Sequence, residues 1–200
     1  GGLANVRQAV QGYETAGASA IQLEDQQYPK RCGHTRNRKV IPAVDMAQKV
    51  KMAVDSRFSD DFLIIARTDA RTEHGLDEAL RRAEIYIKAG ADILFLESPE
   101  SLEEMRIIAE HFPNTPKLAN MVAGGSTPLL PDAELEAMGY QIAIHPVYLL
   151  GAAVAGMQSA LAALIQNGIE ASNAADLNDL NTLVDFPAVW ALDELAQSDE

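Results

Sequence analysis

The sequence holds few of several residue types, and each shortage narrows what the protein can be. Its single cysteine excludes an internal disulfide framework and predicts a reducing compartment such as the cytoplasm. Lys and Arg number 16 against 29 Asp and Glu, which gives a formal net charge of -13. This acidic balance disfavours nucleic acid and anionic membrane surfaces as partners.

Long apolar runs and phosphate-binding loops are also scarce. The longest apolar run, residues 147–155, is too short to cross a bilayer and continues into Gln158 and Ser159, so we expect no membrane-spanning segment. No glycine-rich loop follows an apolar run, and the pair Gly124 and Gly125 alone is weak evidence for one. With 48% hydrophobic residues, the 200-residue chain can instead fill one sizeable core.

Short apolar runs alternate with amphipathic segments along the chain. Continuous β-branched and aliphatic runs predict strands buried on both faces, at 20–25, 62–69, 92–98, 117–122 and 141–146. Helical periodicity predicts helices at 3–16, 44–56, 76–89, 102–112, 132–138 and 149–166. This order indicates repeated βα units and a parallel sheet.

An internal repeat supports that interpretation. Residues 13–18, Tyr-Glu-Thr-Ala-Gly-Ala, correspond to residues 86–91, Tyr-Ile-Lys-Ala-Gly-Ala, 73 positions later, and each copy leads into a predicted strand that ends at a glutamate. Gly17 and Gly90 are predicted to end the preceding helices. The repeat and the missing phosphate loop favour a (β/α)8 TIM-type barrel over a doubly wound sheet.

The strand count is too small for a complete barrel. A barrel of about 250 residues uses roughly 30 for each βα unit, whereas five strands are predicted here. We therefore expect a truncated barrel that lacks about the first three βα units. Residues 1–168 would form the partial barrel, and 169–200 a C-terminal extension.

The segment 24–34, which follows the first predicted strand, concentrates groups that carry chemistry. Cys32 has Lys30, Arg31 and His34 as neighbours, and nearby cations stabilise the thiolate form that makes a cysteine reactive. Most free cysteines are small core hydrophobes. The charged neighbours and Gly33 argue against burial, and so favour a reactive or substrate-facing role.

Polar residues also close the other predicted strands. In a parallel barrel, chemistry gathers at the carboxyl ends of the strands. Those ends carry Glu24 and Asp25, Arg67 and Asp69, Glu97, Asn120, and His145. Strand ends border solvent and are often polar for that reason alone. Arg67 is less easily explained in this way, because it follows an apolar run and calls for an anionic partner, for which a bidentate carboxylate is suited.

Several motifs resemble the isocitrate lyase and phosphoenolpyruvate mutase superfamily. They are Glu-Asp-Gln at 24–26, Pro-Lys-Arg-Cys-Gly-His at 29–34, Ala-Arg-Thr-Asp-Ala-Arg at 66–71, Phe-Leu-Glu at 95–97 and Ala-Asn-Met-Val at 119–122. The segment around Cys32 is similar to the catalytic loop of the carbon-carbon lyase branch, which includes isocitrate, 2-methylisocitrate and 2,3-dimethylmalate lyases. Phosphoenolpyruvate mutases proper carry asparagine at the Cys32 position.

The resemblance implies a role for each matching residue. The catalytic residues would be Cys32, as the acid that protonates the carbanion-like product, Lys30 on a mobile loop, and Glu97, which orients an arginine or a metal-bound water. Glu24 would contact Mg²⁺, or Mn²⁺, through water. Substrate would be bound by Gly33, His34, Arg67 and Asn120. A small di- or tricarboxylate substrate and a homo-oligomer, a tetramer packed through the last helix, are implied as well.

Two departures from the family pattern bear on activity. The aspartates that bind magnesium directly in the family lie on strands earlier than any in this sequence. Ala123 stands where many relatives carry a glutamate. A magnesium-dependent carbon-carbon lyase is therefore weighed against three alternatives: a carboxyphosphonoenolpyruvate mutase, an oxaloacetate hydrolase or decarboxylase, and a catalytically silent barrel subunit.

Overall fold

The computed structural model describes residues 1–33, 35, 37–168 and 174–198. In chain order the elements of these residues are α1 Leu3–Thr15, β1 Ala20–Glu24, α2 Ala43–Ser56, β2 Leu63–Thr68, α3 Arg71–His74, α4 Leu76–Lys88, β3 Ile93–Leu96, α5 Leu102–His111, β4 Leu118–Asn120, α6 Asp132–Met138, β5 Ile142–Ile144, α7 Tyr148–Asn167, α8 Leu177–Leu183 and α9 Phe186–Ser198.

The strands are parallel and follow one another in chain order. One sheet has the order β1-β2-β3, a second pairs β4 with β5, and a parallel bridge between Leu94 and Lys117 links them. In this register Glu24 lies opposite Arg67, and Thr68 lies opposite Leu96. The predicted parallel α/β arrangement is confirmed. The described residues form five strands and do not close a barrel, and the truncated barrel stays a prediction.

Helices cover the sheet through their apolar stripes. Val10 of α1 and Met46 and Val50 of α2 are fully buried, in a cluster that includes Ile64 of β2 and Tyr86 of α4. Burial of one such apolar side chain stabilises the fold by roughly 1.5–3 kcal/mol. These contacts hold the helices against the sheet and so help to fix the positions of the strand ends.

The two copies of the sequence repeat end their helices in the same way. Gly17 follows α1 with φ +88°, and Gly90 follows α4 with φ +102°. Glycine adopts this left-handed conformation without the steric cost that a Cβ brings. At Gly90, an added Cβ would also lie 3.1 Å from a methyl group of Val54. The predicted glycine helix ends are confirmed.

The chain divides into two compact units, Gly1–Tyr148 and Leu149–Glu200. Apart from the first residue of α7, the second unit contains α7, α8 and α9 among its described residues. The sequence-based boundary between 168 and 169 stays a prediction.

Helix α7 is longer than the apolar run 147–155 that it includes almost entirely. The helix has 20 residues, and by length and composition alone it is apolar enough to cross a membrane, with none of that stretch buried. The run was too short by itself. The helix extends it with alanine, methionine and leucine residues, and contains no charged residue.

Candidate active site

Four predicted site residues lie at one edge of the sheet because the strands are parallel and level. Glu24 ends β1, Asn120 ends β4, Arg67 is next to last in β2, and Glu97 directly follows β3. The Glu24–Arg67 register brings a carboxylate beside the guanidinium. The edge predicted to carry the chemistry therefore gathers the side chains that the sequence singled out.

Arg67 lies at the centre of this edge. Its Nε and Nη2 each donate a 2.8 Å hydrogen bond to the carboxylate of Asp69, which is the bidentate partner expected from the sequence. Nη2 also lies 3.4 Å from Glu97, Nε lies 3.7 Å from Glu24, and the guanidinium carbon lies 4.9 Å from the centre of the Phe95 ring.

The ionisation of Arg67 reflects these partners. Burial alone would lower the pKa of Arg67, but the hydrogen bond and charge of Asp69, together with the charges of Glu97 and Glu24, raise it above its usual value. The guanidinium thus remains a permanent cation among carboxylates, fixed in orientation by a fork-shaped contact.

Glu97 joins Arg67 to Asn120. The Glu97 side chain is fully buried, and Asn120 Nδ2 donates to its two carboxylate oxygens at 3.3 and 3.4 Å. The position of Glu97 fits the predicted role of orienting the arginine. Arg67 and Asn120, two of the proposed substrate-binding residues, therefore share one buried carboxylate.

A loop between β1 and α2 covers this edge. Lys30 Nζ lies 3.2 Å from the Glu24 carboxylate, and Cys32 is a free, exposed thiol. Gly33 is buried: a Cβ at this position would lie 2.5 Å from Arg67 Nη2 and 2.8 Å from the Glu97 carboxylate carbon. The loop tip can approach this closely only as glycine. His34, the last predicted loop residue, lies outside the described residues.

Sequence reasoning missed Arg38. Its Nη1 donates a 2.9 Å hydrogen bond to Asp69, and its Nη2 contacts the hydroxyl of Thr72. Arg38 belongs to the basic stretch 36–39, which is typical of a solvated loop, yet its side chain is buried. Only the contact with Asp69, across 31 residues, reveals its place, and no local signal encodes that contact.

Asp25 forms a second polar cluster, also missed. It is fully buried and accepts hydrogen bonds from the Thr68 hydroxyl at 2.7 Å, the Asp69 amide at 2.9 Å, Arg82 Nη1 at 3.0 Å and the Tyr86 hydroxyl at 2.8 Å. Burial raises the pKa of Tyr86, and the charge of Asp25 raises it further, so the phenol stays a donor. Asp25 thus ties α4 to the end of β2.

The ion pairs of the site form one connected network. Its described members are three carboxylates and three cations: Glu24, Asp69, Glu97, Lys30, Arg38 and Arg67. At neutral pH this network has no net charge when all six groups are ionised. His145, the remaining strand-end candidate, lies 3.4 Å from the Asp132 carboxylate.

The described residues do not complete a metal site. Among them, no three His, Cys, Asp or Glu side chains are arranged to hold one ion. Glu24 offers a carboxylate, but Lys30 already binds it. Ala123 is exposed, and nothing in the structure explains its departure from the family pattern.

The sequence profile of phosphoenolpyruvate phosphomutase matches residues 1–165. The chain belongs to this family. It is 45% identical over 197 residues to 2,3-dimethylmalate lyase from Eubacterium barkeri, and the alignment covers 98% of this chain and 67% of the relative. It is 37% identical over 185 residues to 2-methylisocitrate lyase from Bacillus subtilis (strain 168), and this alignment covers 92% of the chain and 60% of that relative.

A solved structure shows the same fold. The crystal structure of a 2,3-dimethylmalate lyase, described as a phosphoenolpyruvate mutase/isocitrate lyase superfamily member, superposes with a TM-score of 0.87 at 33% identity. The superposition covers 98% of this chain and 66% of the crystallised one. The superfamily assignment from sequence motifs is confirmed, and the chain spans about two thirds or less of the length of these relatives.

Proposed function

We propose that the protein is a carbon-carbon lyase that cleaves a 2-hydroxy or 2-alkyl di- or tricarboxylic acid of the 2,3-dimethylmalate or 2-methylisocitrate type. The observation that carries the proposal is the Arg67, Glu97 and Asn120 cluster, covered by a loop that bears Lys30 and Cys32. Membership of the family and the names of its relatives supply the reaction class.

The proposed chemistry is a retro-aldol cleavage. The 2-hydroxyl proton moves to a base, the oxygen forms a carbonyl, and the bond between C2 and C3 breaks with its electron pair left on C3. That pair is delocalised into the neighbouring carboxylate, and C3 then takes a proton from an acid. The products are a 2-oxo acid and a second carboxylic acid, so no oxidant, reductant or water is consumed.

In this proposal the loop supplies the proton and the strand ends supply the binding groups. The exposed Cys32 thiol delivers the final proton, and Lys30 and Glu97 orient the reacting groups. Arg67 and Asn120 hold the substrate carboxylates, together with the backbone at Gly33 and the side chain of His34. An acid in position contributes about a hundredfold or more to the rate of the step it serves.

Magnesium, with manganese as a substitute, belongs to the proposal as well. The ion-pair network is balanced, so it offers no net positive charge to a dicarboxylate. A hard divalent cation would compensate the charge of the substrate. Glu24 would contact the ion through water, and ligands beyond those described here would complete its shell.

The proposal extends to assembly and location. A cytoplasmic homo-oligomer, a tetramer, would bury the apolar side chains that α9 exposes, among them Val189, Trp190 and Leu192. Size measurement of the full-length protein in solution tests this, and a monomer at all concentrations would contradict it.

A panel of 2-hydroxy dicarboxylates tests the activity, with release of the 2-oxo acid as the readout. We expect Cys32→Ala to lower kcat on the cleaved substrate by about a hundredfold with KM nearly unchanged. Excess chelator should stop turnover, and added Mg²⁺ should restore it. Cleavage of oxaloacetate alone would favour the hydrolase instead.

A matched lysine control sharpens this test. Lys30 and Lys51 are similarly exposed, but Lys51 lies on α2 and pairs only with Asp55 among the described residues. Lys30→Ala should lower kcat, whereas Lys51→Ala should leave it unchanged. Wild-type turnover by Cys32→Ala on every substrate would contradict a cysteine acid.

A further inference from the structure

The loop that carries Lys30 and Cys32 is held at its base by a side chain. Gln26 Oε1 accepts a 2.8 Å hydrogen bond from the Arg31 amide, and Gln26 Nε2 donates a 3.0 Å bond to the Arg31 carbonyl. Gln26 is buried, and its own backbone bridges to Val40 on the returning chain. The side-chain amide of Gln26 thus pairs with the Arg31 backbone as a neighbouring β-strand would. Arg31 lies between Lys30 and Cys32 in the sequence.

A second side chain holds the tip of the same loop. The Ser98 hydroxyl lies 2.9 Å from the Gly33 carbonyl and 3.1 Å from Glu97 Oε1. The hydroxyl is within donating distance of both acceptors, and the Gly33 carbonyl is the nearer one. Ser98 is 1% exposed and has φ +60°, a conformation that is uncommon for a residue other than glycine. The strand end thereby aims a donor at the loop.

We propose that Gln26 and Ser98 are positioning residues that hold the loop closed over Arg67 and Glu97. Gln26 fixes the loop on both sides of Arg31, and Ser98 fixes Gly33, so Cys32 lies between two anchored residues. Neither anchor is among the residues assigned to the proposed cleavage, although Ser98 contacts one of them, Glu97. The catalytic consequence rests on the proposed function, whereas the anchoring itself does not.

The size of the effect follows from the bonds that are lost. A typical intramolecular hydrogen bond shifts an equilibrium about fivefold, and an unsatisfied buried partner increases the shift. Removal of one anchor should therefore raise the open fraction of the loop by about fivefold to tenfold. In the proposed lyase, that change lowers kcat, because an open loop holds the acid away from the product.

Limited trypsin digestion of the full-length protein measures the opening directly. Lys30 and Arg31 are exposed, but cleavage after Arg31 uses the carbonyl that accepts the Gln26 hydrogen bond. The loop must leave its anchors before the protease can bind it. We expect Ser98→Ala and Gln26→Met to speed cleavage after Lys30 or Arg31 by about fivefold to tenfold.

The matched control is another serine, three residues along the chain. Ser101 caps α5 by accepting from the Glu104 amide, which lies in the same helix and not in the loop. Ser101→Ala should lower the unfolding midpoint yet leave cleavage after Arg31 unchanged. Equal cleavage rates for wild type, Ser98→Ala and Gln26→Met would overturn the proposal, as would faster cleavage caused only by global destabilisation.

Kinetics on a cleaved substrate then test the catalytic consequence. Ser98→Ala should lower kcat, because a loop tip that is held less firmly positions Cys32 less well, and should leave KM within about twofold; an unchanged kcat with faster proteolysis would overturn the catalytic consequence. If the wild-type protein cleaves no substrate of the panel, the proposed function fails. The proteolysis comparison still supports or overturns the anchors in that case.

Discussion

Two carboxylates that are neighbours in the sequence, the fully buried Asp25 and the partly buried Glu24, belong to different parts of the molecule. Asp25 accepts four donors from β2 and α4 and is sealed by them, whereas Glu24 lies at the strand end beside Arg67 and the loop. Their side chains alternate across β1, so one serves the helix layer and the other the active-site edge. The difference shows that charge alone does not decide which part of the molecule a carboxylate belongs to, because that depends on the elements that supply its partners.

The largest effect is expected in the Asp25 cluster, on the free energy of unfolding. Asp25→Asn places an amide among four donors and removes the carboxylate that the buried Arg82 guanidinium binds through Nη1, so that Glu78 is its remaining carboxylate among the described residues. Removal of one partner of such a pair costs about 3–5 kcal/mol. Urea unfolding should show this loss, while Asp55→Asn on the exposed face of α2 should change stability by less than about 1 kcal/mol.

A substitution in the Arg67 cluster should lower activity more than stability, whereas Asp25→Asn should chiefly lower stability. Arg67→Lys keeps the charge but loses the fork that binds Asp69, and charged hydrogen bonds of this kind are worth about 1.5–3 kcal/mol. The ratio kcat/KM should fall by about 10- to 150-fold, because kcat decreases and KM increases.

The control for this substitution is Arg81→Lys on α4, where an exposed arginine makes a similar fork with Glu78. Its kinetics should equal those of the wild type. A loss of stability in Arg67→Lys as large as that of Asp25→Asn would show that the two clusters do not differ as described.

The smallest expected effect concerns Glu78, which joins α4 to the Asp25 cluster through Arg82. Hydrogen bonding to Arg81, with a further contribution from Arg82, lowers the pKa of Glu78 to about 2. Because this carboxyl has a lower pKa in the folded state, its stabilisation is fully present above about pH 4.5 and is lost as the pH falls toward 2.

Glu78→Gln should therefore reduce the free energy of unfolding at pH 7 by about 1 kcal/mol or less, since the pair is partly solvated. The difference from wild type should shrink as the pH falls from 4.5 toward 2. Chemical unfolding at several pH values measures this, and a difference that grows in acid would reverse the assigned sign.

The main elements could be predicted because their signals are local. The predicted strand at 62–69 is observed at Leu63–Thr68, and α6 begins and ends where the helical pattern does. Helix α8 was missed, and the last helix, α9, was implied by the family resemblance without a predicted range. Their apolar side chains are largely exposed, so the contrast between a buried and a solvated face that reveals a helix is weak there.

Candidate-site residues at strand ends could be predicted from the sequence. Residues that join the site or its neighbouring cluster through contacts between distant positions were missed. Arg67, Glu97 and Glu24 follow apolar runs, and that position was informative. Arg38 and Arg82 come from a loop and a helix, and each meets its carboxylate across more than 30 residues. No periodicity records such a contact, because it depends on how complete layers pack.

The register of β1 against β2 has an evolutionary consequence. Glu24 pairs with Arg67 only while each residue from Ala20 onward keeps its opposite neighbour. A deletion or insertion of one residue inside β1 would exchange Glu24 and Asp25 between the two faces, because side chains alternate along a strand. Both carboxylates would then face the wrong partners in a single mutational step. Length changes in this lineage should therefore accumulate in connecting segments and spare β1.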